Sequence, residues 1–195
     1  MNEYPQALGS TGEVAVMSIA NNAAIQSAEL ADQFKNAMRR LTSSVAIIAS
    51  RDGDDPVGMV ATAVISVSST PPALLICVNR SASLHGPLML AKRFSVNLLS
   101  TAHSALVPVF AGQVKGRDRF AHGHWEDIQG LPCLADAQSN LICTLDKQLS
   151  YGSHDVIIGR VDAVQFAEPI NPLLWENGSP ATSARLKRHA PTTWR

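Results

Sequence analysis

The sequence predicts a mainly β domain rolled into a closed or nearly closed barrel, with a few short helices. Three observations lead there. Apolar, β-branched runs follow one another in hairpin order with turn residues between them. Strands and long helical patterns do not alternate, so a parallel α/β sheet is disfavoured. The chain also lacks GxGxxG and GxxxxGKS/T, the glycine loops that seat a pyrophosphate on a helix N-terminus in parallel sheets.

Residues 1–28 are rich in Ala, Asn and Ser without a sustained period and read as a loosely ordered extension, with a short helix near Val14–Ile25. From Glu29 the spacing of Leu30, Phe34, Ala37, Met38 and Leu41 is helical, with Ser27 as its cap and Lys35, Arg39 and Arg40 outward. Ser44–Ser50 is a strand, Asp52-Gly53-Asp54-Asp55-Pro56 a turn, and Val57–Ser68 alternates as one long strand. Pro71-Pro72 breaks the pairing, and Ala73–Val78, apolar on both faces, reads as a central strand.

Ser83–Ala91 is a short helix, Phe94–Leu98 a strand, and Ser100–Phe110 a helix capped by Ser100 with Leu106 and Phe110 inward. Gln113–Arg119 has too many charges for a core element and reads as a basic loop, leading into a His-, Gly- and Pro-containing stretch through Pro132. Asn140–Leu149 and Val156–Gln165 flank Tyr151-Gly152-Ser153-His154 and form a hairpin. Leu173-Leu174-Trp175 is an edge strand, and Glu176–Arg195 a polar, basic tail. The expected organisation is an extension over 1–28, one domain over 29–175 and a tail over 176–195.

Composition narrows the function classes. With 195 residues, 46% apolar and 16% charged, the chain can bury one sizeable core. Sixteen basic residues balance sixteen acidic ones, so neither nucleic acid nor an anionic membrane is favoured as partner. Cys77, Cys133 and Cys143 show no CxxC or Cys/His spacing, which speaks against a disulfide framework and a zinc site, and the histidines show no metal-ligand spacing. Glu3, Glu13, Asn21 and Asn22 interrupt any leader-like apolar run, and no window approaches the ~20 apolar residues of a membrane span. A soluble protein of the reducing cytoplasm is expected.

Phe34-Lys35-Asn36-Ala37-Met38-Arg39-Arg40 followed by Val57–Ser68 resembles the short-chain flavin reductase family. Four further blocks agree in order: Pro71–Arg80 with Ser83, Phe94–Leu99, Gly116-Arg117-Asp118-Arg119-Phe120, and His154–Val161. The resemblance covers about residues 30–175. It implies an FMN-binding split β-barrel of Greek-key type, reduction of FMN or FAD by NADH or NADPH, a homodimer, and a separate flavin-dependent monooxygenase, commonly an aromatic hydroxylase, that receives the reduced flavin. Two other readings stay open on these blocks: a reductase that retains its flavin and reduces ferric complexes or another acceptor, and a flavin-binding module without turnover.

Hydride transfer from nicotinamide to flavin asks the protein for stacking geometry and electrostatics rather than a catalytic triad. Gly58 permits close backbone approach, and strand amides with the Thr62 and Ser66 hydroxyls suit a ring's polar edge, although the strand alone also reads as an ordinary amphipathic one. The resemblance implies flavin-lining positions at Met59, Val60, Ala61, Thr62 and Ala63. The family usually has hydroxyl residues at Val60 and Ala63 and an aromatic at Val64, so backbone contacts are expected there. Cys77, Val78, Asn79, Arg80, Ser83 and Leu84 lie at a strand end and helix start that suit a phosphate or flavin edge, with a helix cap as the plain alternative for Ser83 and a solvated charge for Arg80. The resemblance adds Phe110, Ala111, Arg117 and Phe120. It implies that His154 orients the nicotinamide or stabilises charge on the reduced flavin. The segment after Trp175 departs from the family pattern, which bears on the final strand and one edge of the site.

Overall fold

The computed structural model describes residues 28–186. The expected helix near Val14–Ile25, the Ser27 cap and His189 lie outside the described residues. The chain divides into two compact units, Met1–Leu41 and Thr42–Arg195. In the first, residues 28–38 form helix α1, as the spacing of Leu30, Phe34 and Met38 predicts. The second carries all twelve strands found among the described residues.

Seven strands of that unit form one antiparallel sheet. They are β2 (Ala46–Asp52), β3 (Asp55–Ala61), β4 (Val64–Ser69), β5 (Pro72–Asn79), β6 (Arg93–Leu98), β9 (Ser139–Tyr151) and β10 (His154–Phe166), in the order β3-β2-β6-β9-β10-β5-β4. β3 and β4 are consecutive in the chain yet lie at opposite edges, linked by Thr62 and Ala63 alone. Three peptide steps reach at most roughly 11 Å, so the sheet must curl until its edges meet.

The register supplies the stagger this needs. One row of partners runs Ala61–Ala46–Leu98–Ser139–Phe166, and another runs Val64–Ile76–Ile157. On β10 the rows are nine residues apart, Phe166 against Ile157, and this shear lets the end of β3 meet the start of β4. The sheet is a barrel split along the β3/β4 seam, with two hydrogen-bonding edges rather than a closed ring.

Side-chain alternation sorts the core into two layers. Ile48, Ile76, Val78, Phe94, Val96 and Ile157 fill the roll, and Leu84 and Leu88 plug it from helix α2 (His85–Ala91). Val45, Ile47, Leu99, Phe110 and Leu173 pack outside it. The sheet strands buried on both faces are therefore β2, with five consecutive buried residues, and β6, with four. β5, expected to be apolar on both faces and central, instead alternates: Leu74, Ile76 and Val78 are buried and the residues between them half-buried, because the outer layer that covers β2 does not extend over it. At Gly159 an added Cβ would lie 2.5 Å from Phe94 Cζ, so the glycine makes room for a fully buried ring.

Several expectations are corrected. Val57–Ser68 is two strands, because Val64 N–H donates to the Thr62 carbonyl (3.1 Å) in a three-residue turn that breaks the run. Pro71-Pro72 does not end pairing: β4 and β5 form a hairpin with Ser69 opposite Pro72. Ser100–Phe110 is a 3-10 turn (Thr101–His103), a short helix α3 (Leu106–Pro108) and the start of a π turn (Val109–Gln113), with Leu106 and Phe110 buried as expected. Ser100 caps the first turn together with His103. The stretch before Pro132 contains a hairpin, β7 (Trp125–Ile128) with β8 (Leu131–Leu134), turning at Gln129-Gly130. The polar tail likewise begins with structure: after β11 (Leu173–Glu176) the chain turns at Asn177-Gly178, both at positive φ, and returns as β12 (Ser179–Thr182). β11 also pairs with the short β1 (Ser43–Ser44).

Candidate flavin site at the barrel seam

The shear brings several of the sequence-predicted positions into one strip. Val64, first residue of β4, pairs with Ile76, next to Cys77, and Asn79 pairs with His154. The strip therefore runs Ala61-Thr62-Ala63, Cys77–Asn79, His154, with β4 and β10 two strand spacings apart, roughly 10 Å. Alternation then divides it. Met59 and Val78 pack with the barrel interior, as does Leu84 of the following turn, and Val78 and Leu84 are fully buried, so their contribution outward is backbone. Val60 packs on the outer layer, while Thr62, Arg80, Ser83 and His154 are exposed.

Beside the strip lies a cavity of about 700 Å³. Val60, Ala61 and Thr62 form one wall, Ala105, Val107 and Ala111 another, and Trp175 and Pro180 of the β11/β12 hairpin a third. Its lining is mostly apolar, with the Thr62 and Ser104 residues as polar points, and its size is that of small-molecule sites. β3 and β4 are sheet edges, so alternate backbone N–H and C=O groups along them lack strand partners. Apolar walls beside an open backbone edge suit a planar ring that is apolar on its faces and polar along one side.

Two turns close the upper end of the strip. Arg80 N–H donates to the Ser153 carbonyl (2.9 Å), and its guanidinium donates to the Gly152 carbonyl. Asn79 Oδ1 accepts from both the N–H and the hydroxyl of Ser81 (2.9 Å each). Ser83 is not a helix cap: Leu84 occupies that position and no side chain bonds the helix start, leaving the exposed Ser83 hydroxyl available. His154 Nδ1 lies 3.0 Å from Ser153 Oγ.

The basic loop behaves differently from its sequence reading. Arg119 is buried: its Nε donates to the Val114 carbonyl (2.8 Å) and its Nη1 to the Gly58 carbonyl (2.6 Å), so it bonds backbone rather than standing in solvent as a loop charge. The guanidinium offsets its own burial by satisfying two carbonyls. Gly58 does not hold space for a ligand; an added Cβ would lie 3.1 Å from Phe120 Cζ and 3.2 Å from Phe110 Cε1. Those rings pack edge-on (centroids 5.2 Å apart), with Trp125 against both. Phe110 and Phe120 thus form a buttress beneath β3. Arg117 pairs with Asp55 (3.0 Å) at the far end of β3, six residues or roughly 20 Å from Ala61, and is not brought to the strip.

Burial pushes the Cys133 thiol up to about 11 and the Cys143 thiol up to about 12, which removes both as nucleophiles at neutral pH. Among the described residues no group of three or more His, Cys, Asp or Glu is placed to hold a metal, and no helix is long and apolar enough to cross a membrane. Sequence reasoning missed Trp175 and Pro180 as cavity walls. It also missed Asp155, whose only sequence signal is a carboxylate at the same alternation phase as the buried Ile157.

A family model described as "Flavin reductase like domain" matches residues 38–183. The chain is 36% identical over 159 residues to "FMN reductase (NADH) RutF" of Methylorubrum populi strain BJ001, covering 81% of this chain and 79% of that protein. It is 38% identical over 147 residues to "FADH(2)-dependent resorcinol hydroxylase, reductase component" of Rhizobium sp. strain MTP-10005, covering 74% and 82% respectively. Among solved structures, the NADH:FAD oxidoreductase SgcE6 of Streptomyces globisporus C-1027, in complex with NAD and FAD fragments, is similar with a TM-score of 0.71 at 25% identity, covering 83% of this chain and 93% of that one.

Proposed function

The chain belongs to the flavin reductase-like domain family, and on that premise we propose that it oxidises NADH, reduces FMN or FAD, and releases the reduced flavin to a separate flavin-dependent monooxygenase. The observation that carries this is the juxtaposition at the seam: an apolar cavity of about 700 Å³ beside the free edges of β3 and β4. Support for a separate oxygenase comes from the Rhizobium relative, itself named as a hydroxylase's reductase component.

When both are bound, the nicotinamide supplies a hydride that the flavin accepts. The chain's own part is placement. In this reading the walls around Val60 and Ala111 hold the ring and exclude water, while backbone from Val60 to Ala63 bonds its polar edge. Asn79, Arg80 and Ser83 meet the phosphate-bearing end with amide, guanidinium and hydroxyl donors. His154 orients the nicotinamide from the neighbouring turn. A homodimer is part of the proposal, in keeping with Ile65 and Val67, exposed apolar residues on the edge strand β4. So is a cytoplasmic setting, in keeping with three free cysteines.

The test is NADH oxidation by the purified protein titrated with free FMN and FAD. Oxidation that saturates with added flavin and nearly stops without it supports the proposal. Flavin that stays bound through gel filtration while NADH is not consumed overturns it.

A further inference from the structure

Asp155 follows His154 on β10 and points into the barrel, only 1% exposed. Its Oδ2 accepts from His85 Nε2 and from Gln148 Nε2, and its Oδ1 from Ser150 Oγ, each at 2.6 Å. A carboxylate in such a place is costly unless every lone pair is used, and an apolar side chain would serve packing as well or better. The three donors are not equivalent. Gln148 and Ser150 come from β9, which the ladder already joins to β10. His85 comes from the first turn of α2, directly after the Asn79–Leu84 segment. That segment is otherwise held by the Arg80 bonds to the Gly152 and Ser153 carbonyls, by bonds within itself such as Ala82 N–H to the Asn79 carbonyl (2.9 Å), and by the buried Leu84, and of its neighbours only His85 ties it to the carboxylate. His154 is paired on both sides, with Asn79 and Tyr151, independently of the carboxylate.

We propose that Asp155 is a positioning residue for flavin: through His85 it fixes the Asn79–Leu84 segment against the barrel, setting flavin affinity while leaving the nicotinamide side alone. This rests on the reading of that segment as part of the flavin site. Two of the three bonds are cut separately to test it, with flavin affinity measured by fluorescence titration with FMN, so that the result does not depend on turnover. In His85→Ala, FMN binding weakens about tenfold or more, the scale of one hydrogen bond to a charged group. In Ser150→Ala, which removes a bond to the same carboxylate without touching α2, FMN affinity stays within about twofold of wild type. His85→Gln, whose amide can again donate to Asp155, restores most of the affinity. The KM for NADH at saturating FMN is unchanged in all three.

Equal weakening in His85→Ala and Ser150→Ala, or no weakening in His85→Ala, overturns the assignment, since a merely structural carboxylate would respond alike to both losses. His85→Ala is the decisive variant because its side chain is 18% exposed and its removal leaves Asp155 two donors. Wild-type protein that binds FMN but does not oxidise NADH would contradict the proposed function while leaving this test intact. Wild-type protein that binds neither FMN nor FAD overturns both, and if FAD alone binds, the same variants are titrated with FAD.

Discussion

The two sides of the barrel are built on opposite principles. On the sealed side, β2, β6 and β9 are paired along both edges, and polar side chains are buried and bonded: Ser50 donates to the Arg93 carbonyl (2.7 Å), Ser95 to that of Pro132 (2.6 Å), and Asn97 to that of Ile47 (3.0 Å) while accepting from Leu134 N–H (2.8 Å). At the seam, β3 and β4 each lack one partner strand and the adjoining walls are apolar. The bonded side fixes the register, and the register delivers Ala61 to Val64 and Asn79 to His154. The open side leaves backbone groups and apolar walls free to receive a ligand. Stability and binding should therefore separate by region.

Asn97→Ala should give the largest stability loss. It leaves the buried Leu134 N–H without its acceptor, takes a second donor from the ladder-paired Ile47 carbonyl and opens a small cavity, costing roughly 2–4 kcal/mol. Urea unfolding should show this, with FMN affinity of the folded protein unchanged; a matching loss of affinity would break the separation. Gly159→Ala comes next, at roughly 1–3 kcal/mol, because its Cβ must displace the Phe94 ring. Adding Phe94→Leu should recover part of that loss.

Acid should act on the bonded regions. The His85 hydrogen bond, with those of Ser150 and Gln148, holds the Asp155 carboxyl below its usual range, and Arg51 does the same for Asp127. Folded values below the unfolded ones mean that both carboxylates stabilise the protein above about pH 4 and lose that contribution as pH falls through the folded values. Asp155→Asn should be less stable at neutral pH yet show a shallower loss of stability below pH ~4, measured as thermal midpoint against pH. Arg117→Ala should have the smallest effect. Its pair with Asp55 is exposed and worth no more than about 0.5 kcal/mol, and FMN affinity should not change. A tenfold loss would mean that the loop reaches the seam after all.

Much of this architecture is legible in the chain. β2, β5, β6 and the β9/β10 hairpin follow from β-branched runs and the Gly152 turn, and the resemblance supplies the split. Two things resist reading. The break at Thr62-Ala63 is hidden because period-two alternation continues through it, and only pairing to opposite edges reveals two strands. The β7/β8 and β11/β12 hairpins are short and polar, and their Gln129-Gly130 and Asn177-Gly178 turns look like loop from sequence. Of the positions singled out in the sequence, Val60, Ala61, Thr62 and Ala111 line the cavity. Arg117 instead pairs with Asp55, and Gly58, Phe110 and Phe120 pack together against β3, because a charged or aromatic residue near a family motif does not disclose which side of the strand it faces. Trp175 and Pro180 arrive only through long-range folding of the C-terminal hairpin.

The central claim is that the seam cavity receives the flavin, and Ala111→Phe tests it most directly. Ala111 is exposed on the cavity wall, so a phenyl ring there can occupy the space without entering the core. FMN affinity by fluorescence titration should fall tenfold or more, on the scale of one excluded contact set, with the thermal midpoint within about 2 °C of wild type. Unchanged FMN affinity in a folded Ala111→Phe protein would contradict the account.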